Sequence, residues 1–253
     1  MSQEILIFDR KLLLQRRSNK VNSLSRADFL IKRSLDDILE RLSEITREFP
    51  IILNLTSRNN YGFKQLTNRI GTKQLIVADF DVEEYLKLPA HSVDLIVSVL
   101  NLHSINDLPG CLIQLKNILK PNGLLIASMF GENNLLELRE ALLKTEIECC
   151  SGISPRMMPL IELKQLGMLL QRAGFNMPVI DSDRIKVHYK NPLDLLHDLR
   201  DMSETNIMLK RNKAYLGKKF WTKFSQNYLS SFSALDNQVI ANFEILNLMA
   251  IAD

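Results

Sequence analysis

The chain has 253 residues, 46% apolar and 24% charged, the balance of a globular protein with a sizeable core. Its net charge of +3 is too small to imply a polyanionic partner. No stretch reaches the ~18 consecutive apolar residues of a membrane-spanning helix. The three cysteines, Cys111, Cys149 and Cys150, are odd in number and have no C-x-x-C spacing, which argues against a disulfide framework and a zinc site. Reduced thiols and a cytoplasmic location are the expectation, as the opening MSQEILIFDR carries Glu4 and Asp9 and no apolar leader core.

Between Arg10 and Arg33 stand eight basic residues and one acid, Asp28. The run reads as a solvated helix face, with a patch for an acidic partner as the other reading. Ser25 and Asp28 fit the S-x-x-D helix start. Phe29, Leu35, Ile38, Leu39, Leu42 and Ile45 then recur at helical spacing, so an amphipathic helix is predicted to end before Pro50. Residues 1–50 thus form an N-terminal helical segment.

Residues 51–131 read as a sheet core. Ile51–Leu55 is a short buried strand. Phe63, Leu66 and Ile70 share one helix face, closed by Gly71. Residues 75–78 are a second strand, followed by the acidic DFDVEE, and Val93–Val99 is a third. Asp107 caps a helix lined by Leu108, Leu112, Leu115 and Leu119; residues 120–123 (KPNG) make a turn and 124–129 a further strand. Residues 132–253 hold helices and final strands. One helix is predicted from about Asn133, and another from Pro159 along Leu163, Leu166 and Leu170 to Gly174. Strands follow at 179–180 and 185–189, helix over 192–231 and a last strand within 239–251. Strands alternating with helices imply one α/β domain with a mostly parallel sheet covered on both faces.

Taken together, LPAHSVDLIVSVLNLHSINDLPGCLIQLKNILKPNGLLIASMFG (residues 88–131), IFDR (7–10), MFGENNLLELR (129–139), LGMLLQRAGF (166–175) and KVHYKNPLDLLHDLRDMSETN (186–206) resemble the class I S-adenosylmethionine-dependent methyltransferases. Within that superfamily they are closest to the branch of the methyltransferase-like respiratory complex I assembly factor, an arginine hydroxylase, and more distantly similar to the malonyl-carrier-protein methyltransferase of biotin synthesis. The resemblance implies a Rossmann-like fold, S-adenosylmethionine as cofactor and, for a member that has turned to assembly, a complex I subunit as partner.

In that family the first strand ends in an acid and a D-x-G-x-G-x-G turn, whose glycines let the backbone approach the cofactor. Here Asn54 stands at the acid, and Thr56, Arg58 and Asn60 at the glycines. The resemblance places cofactor contacts at Asn54, Thr56, Ser57, Asp79, Ser98 and Asn101. It assigns no catalytic residue, and Asp81 competes with Asp79 for a ribose or adenine contact. Only 37 residues, 56–92, separate the first strand from the one at Val93; two strands with their crossovers need roughly 50–60. One edge strand–helix unit is therefore expected to be missing.

Other polar residues read as structural. His103 is expected to be a hydrogen-bonded histidine, and His91, His188 and His197 lack metal-ligand spacing. Phe220, Trp221, Phe224 and Tyr228 recur as a packing stripe, which makes nucleic-acid stacking the weaker reading. Two functions stay open: a non-catalytic or altered assembly or binding protein with a degenerate cofactor loop, and an active methyltransferase or hydroxylase acting on a protein or carrier-bound substrate.

Overall fold

The computed structural model describes residues 6–20, 27–55, 63–69, 71–150, 152–234 and 238–253. In chain order it contains α1 (Arg10–Lys20), α2 (Phe29–Ser43), β1 (Ile51–Leu55), α3 (Phe63–Thr67), β2 (Gln74–Val77), β3 (Val93–Val99), α4 (Leu108–Ile118), β4 (Leu119–Phe130), α5 (Leu136–Cys149), α6 (Leu163–Arg172), β5 (Phe175–Tyr189), α7 (Pro192–Asp201), α8 (Gly217–Phe232) and β6 (Val239–Ala252). The six strands make one sheet in the order β2-β1-β3-β4-β6-β5. The first four are parallel, and β6 runs antiparallel to both β4 and β5.

Every residue of β3 is buried, as a central strand covered on both faces requires. Its side chains alternate between two cores. Leu95, Val97 and Val99 join the core under α2, α5, α7 and α8; Ile96 joins the core under α4 and α6. Each fully buried aliphatic side chain of this kind contributes roughly 1.5–3 kcal/mol. Asp94 ties three strands at their starts, accepting from Ile51 N at 2.8 Å in β1 and from Lys120 Nζ at 2.9 Å in β4. Next to β1 lies β2, four residues long and with no second strand neighbour among the described residues. The connection shortened in the sequence thus leaves β2 as the sheet's edge.

Several predicted boundaries change. The turn at 120–123 lies inside β4 as a bulge: the register jumps from Val93↔Leu119 to Leu95↔Leu124, and Asn122 takes φ +61°. The short strands at 179–180 and 185–189 are one strand, Phe175–Tyr189, irregular only between Asn176 and Val179. Its polar centre is held because Asp181 and Asp183 pair with Arg41 and Arg33 of α2, at 2.7 and 3.0 Å. Pro159 does not start α6, whose N-cap is Glu162, and α5 begins at Leu136 after a turn in which Glu244 accepts from Asn133 N at 2.7 Å. The helical region 192–231 is two helices separated by residues 202–216. Ser25, Ile70 and the loop 56–62 lie outside the described residues.

The aromatic stripe of α8 is core. Phe220, Phe224 and Tyr228 are buried, and edge-to-face contacts of 5.2–5.8 Å run from Phe220 through Trp221, Phe224 and Tyr228 to Phe232. Rings packed this way are not free to stack on bases.

Glu146, on the buried side of α5, anchors the segment that follows the helix. It accepts from Ser154 N at 2.8 Å, Ser154 Oγ at 2.6 Å and Arg156 Nε at 2.7 Å. Burial alone would raise its carboxyl, but the Ser154 hydrogen bonds and Arg156 outweigh that and hold it below the usual range. In acid the native state therefore binds fewer protons here than the unfolded chain. The stabilisation is complete above the ordinary glutamate value of about 4.3 and is lost as pH falls through the lower native value. Glu146→Gln should be less stable than wild type at neutral pH, with a shallower loss of melting temperature below about pH 4.5. Equal acid slopes would show that Glu146 carries none of the effect.

Candidate functional site

In a sheet of this kind ligands bind at the carboxyl ends of the parallel strands. That rim holds Asn54 near the end of β1, Asp79 just past β2, Ser98 in β3 and Asn101 just past it. The structure divides them. Asn54 is in register with Val97 and Leu55 with Ser98, so Asn54 and Ser98 face opposite sides of the sheet. Both are buried, and neither Asn54 Oδ1 nor Ser98 Oγ has a hydrogen-bond partner among the described residues. Thr56 and Ser57, like Arg58 and Asn60, lie outside the described residues.

Asp79 and Asn101 are brought together. Asn101 Nδ2 donates to Asp79 Oδ1 at 2.8 Å and reaches Leu55 O at 3.5 Å, so the two residues close the rim across β1. A third group joins them that the sequence did not single out. Arg17 of α1 donates from Nη1 to Asn101 Oδ1, and the same nitrogen lies 3.6 Å from Asp79 Oδ2. The Arg17 and Asp79 side chains are 3% and 12% exposed. The acid best placed to hold a ribose or adenine is therefore already engaged by a cation of the same chain. Asp81 does not compete for that role; its Oδ1 accepts from Glu83 N at 3.0 Å and Tyr85 N at 2.9 Å and so shapes its own turn.

The N-terminal basic run is correspondingly not a solvated face throughout. Among the described side chains of α1, Arg10, Leu13 and Arg17 are the buried ones, at spacings of three and four. Arg10 Nη2 donates to Phe80 O at 3.1 Å, and its Nε is 3.8 Å from Glu84 Oε1. Arg16 donates to Thr205 Oγ1 at 2.8 Å and Asn206 O at 3.1 Å. Guanidinium forks matched to carbonyls and carboxylates tolerate burial that a lone charge does not. The i, i+3, i+7 recurrence of Arg10, Leu13 and Arg17 puts them on one face of α1, but two of the three are arginines, so by sequence alone that face reads as a solvated one.

His103 sits in the short turn after β3, where its Nε2 is 2.8 Å from Glu204 Oε2 and its ring packs 4.8 Å from that of Phe130. The hydrogen bond expected of it is present, and Glu204 is the partner the sequence did not reveal.

Residues 31–178, more than half of the chain, match the family model of a methyltransferase domain. The chain belongs to that family. It is 32% identical to the protein named arginine-hydroxylase NDUFAF5, mitochondrial, of Rattus norvegicus, over 96% of this chain and 76% of that one, and 33% identical to its Homo sapiens counterpart, over 94% and 75%. A malonyl-[acyl-carrier protein] O-methyltransferase of Gallionella capsiferriformans is 25% identical over 88% of this chain and 84% of the relative. Among solved structures, the [4+2]-cyclase SpnF superposes with a TM-score of 0.54 at 10% identity, covering 98% of this chain and 97% of that one, a likeness of fold alone.

S-adenosylmethionine is the cofactor the family implies, and Asp79, Asn101 and Asn54 fit it poorly. Asp79 and Asn101 are committed to Arg17, Asn54 supplies no acid, and Ser98 faces away from Asn54.

Proposed function

We propose that the protein is a non-catalytic or catalytically altered member of the methyltransferase fold, with a degenerate cofactor loop, that acts in assembly by binding a protein partner. The observation that carries this reading is the Arg17–Asn101–Asp79 closure of the rim. Thr56, Arg58 and Asn60 at the glycine places of the family turn support it, because side chains there obstruct close backbone approach to a cofactor. The similarity to arginine hydroxylases of the complex I assembly branch supports a subunit of respiratory complex I as the partner.

The same similarity favours a second reading, an active S-adenosylmethionine-dependent methyltransferase or hydroxylase acting on a protein or carrier-bound substrate. Titration calorimetry of the purified protein with S-adenosylmethionine separates the two. Each missing polar contact weakens binding by ~0.5–1.5 kcal/mol, and each ~1.4 kcal/mol is tenfold. Binding at least ~100-fold weaker than to an intact family member is expected. Micromolar, saturable binding would overturn the first reading and establish the cofactor requirement of the second.

A further inference from the structure

Outside the rim, a cleft of about 720 Å³ lies at the N-terminal end of α1, between the chain entering α1, the segment after β2 and the start of α4. That volume is in the range of sites that bury a small ligand or a few residues of peptide. Its lip carries three large apolar side chains from distant parts of the chain: Leu6, Val82 and Leu209, which are 56%, 51% and 44% exposed. Apolar groups gathered at one cleft mark an interaction site more strongly than the same groups scattered.

The wall beneath the lip is polar and pre-organised. Glu84 is buried and accepts from Asn106 N at 2.7 Å, Asn106 Nδ2 at 2.9 Å and Asp107 N at 2.9 Å. Asn106 in turn accepts from Ile7 N and Phe8 N, both at 2.7 Å. The charge of Arg10 is balanced by Glu84, yet Arg10 Nη1 is buried in this wall without a hydrogen-bond partner among the described residues. A buried donor left without an acceptor is costly and marks where an acceptor gains most. Two further carboxylates, Glu83 and Asp107, are exposed at the mouth, against one exposed lysine, Lys11. Cys111 also lines the cleft, but burial, with Glu84 next, pushes its thiol up to about 12, so it is no nucleophile there.

We propose that this cleft is the docking site for a short apolar and basic segment of a partner protein. An apolar side chain of the segment covers Leu6, Val82 and Leu209. A backbone carbonyl accepts from Arg10, and a lysine or arginine of the segment faces Glu83 and Asp107. The acidic excess at the mouth selects a basic segment over an acidic one. This rests on the binding-protein reading and gives it a surface, while using none of the rim residues.

Fluorescence polarisation on the whole protein tests it with three labelled eight-residue probes: alternating leucine and lysine, alternating leucine and glutamate, and alternating serine and lysine. Saturable binding is expected for the leucine–lysine probe alone, weakened about tenfold or more by Leu209→Ser, Val82→Ser or Glu83→Lys. These side chains are exposed, so melting temperatures should not move. Ile147→Ser, which removes a 63% exposed apolar side chain from α5, should leave binding unchanged. Equal binding of the acidic probe, no binding of any probe, or retained affinity in Leu209→Ser and Glu83→Lys would overturn the assignment. Because S-adenosylmethionine titration reads the rim and these probes read the cleft, failure of one inference is distinguishable from failure of the other.

Discussion

Ile38→Asp should cost at least about 4 kcal/mol, enough to leave much of the protein unfolded at ordinary temperature. Ile38 is 1% exposed and lies on the line of α2 that also buries Ile31, Leu35 and Leu42. These residues repeat at three and four positions and meet the sheet through the core of Leu95, Val97 and Ile126. A carboxylate there loses the packing of the isoleucine and is buried among Ile31, Leu35 and Leu42. Leu39, beside this line and only partly buried, should tolerate aspartate with a markedly smaller loss. Urea unfolding of the two variants checks this: equal midpoints would mean that α2 does not dock along Ile31, Leu35, Ile38 and Leu42.

The contrast between α2 and α1 explains what was legible in the sequence. The apolar stripe of α2 announces its own buried face, because burial is what that pattern is for. β1 and β3 were readable to the residue for a related reason: a strand covered on both sides is a short unbroken apolar run. In α1 the buried side chains include two arginines, so a reading by hydrophobicity assigns them to water. Their burial depends on acceptors far away in sequence, Phe80 O and Glu84 for Arg10, Asn101 and Asp79 for Arg17. No local pattern encodes such a match. The same holds for Asp181 and Asp183 in β5, which looked like a break in the strand until Arg41 and Arg33 were beside them. Of the rim, Asp79 and Asn101 were legible as polar residues at strand ends. Their pairing with α1 was not, nor was the split of Asn54 and Ser98 onto opposite faces, which follows from the register of β1 on β3.

Restoring the family turn should not by itself restore cofactor binding. Asn54→Asp with Thr56→Gly, Arg58→Gly and Asn60→Gly removes the obstructing side chains and returns the acid, yet leaves Asp79 and Asn101 held by Arg17. A ligand hydroxyl or amine competing for Asp79 must displace a charge-assisted contact, which is about twice as strong as a neutral one. Adding Arg17→Gln keeps a polar side chain that can still donate to Asn101 and removes the charge. That change leaves the Asp79 carboxylate, 12% exposed, without this cation and should cost roughly 3 kcal/mol, the lower end for breaking a buried pair. The expected result is no saturable heat with the fourfold variant, and S-adenosylmethionine binding with the fivefold variant that is about tenfold or more tighter. Melting curves on both variants, run with and without the ligand, separate lost folding from lost affinity, because a bound ligand raises the melting temperature of the folded form. Micromolar binding by the fourfold variant would show that Arg17 is no barrier. A folded fivefold variant that still binds nothing would move the defect to the shortened 56–92 connection, where the missing strand–helix unit takes its cofactor contacts with it.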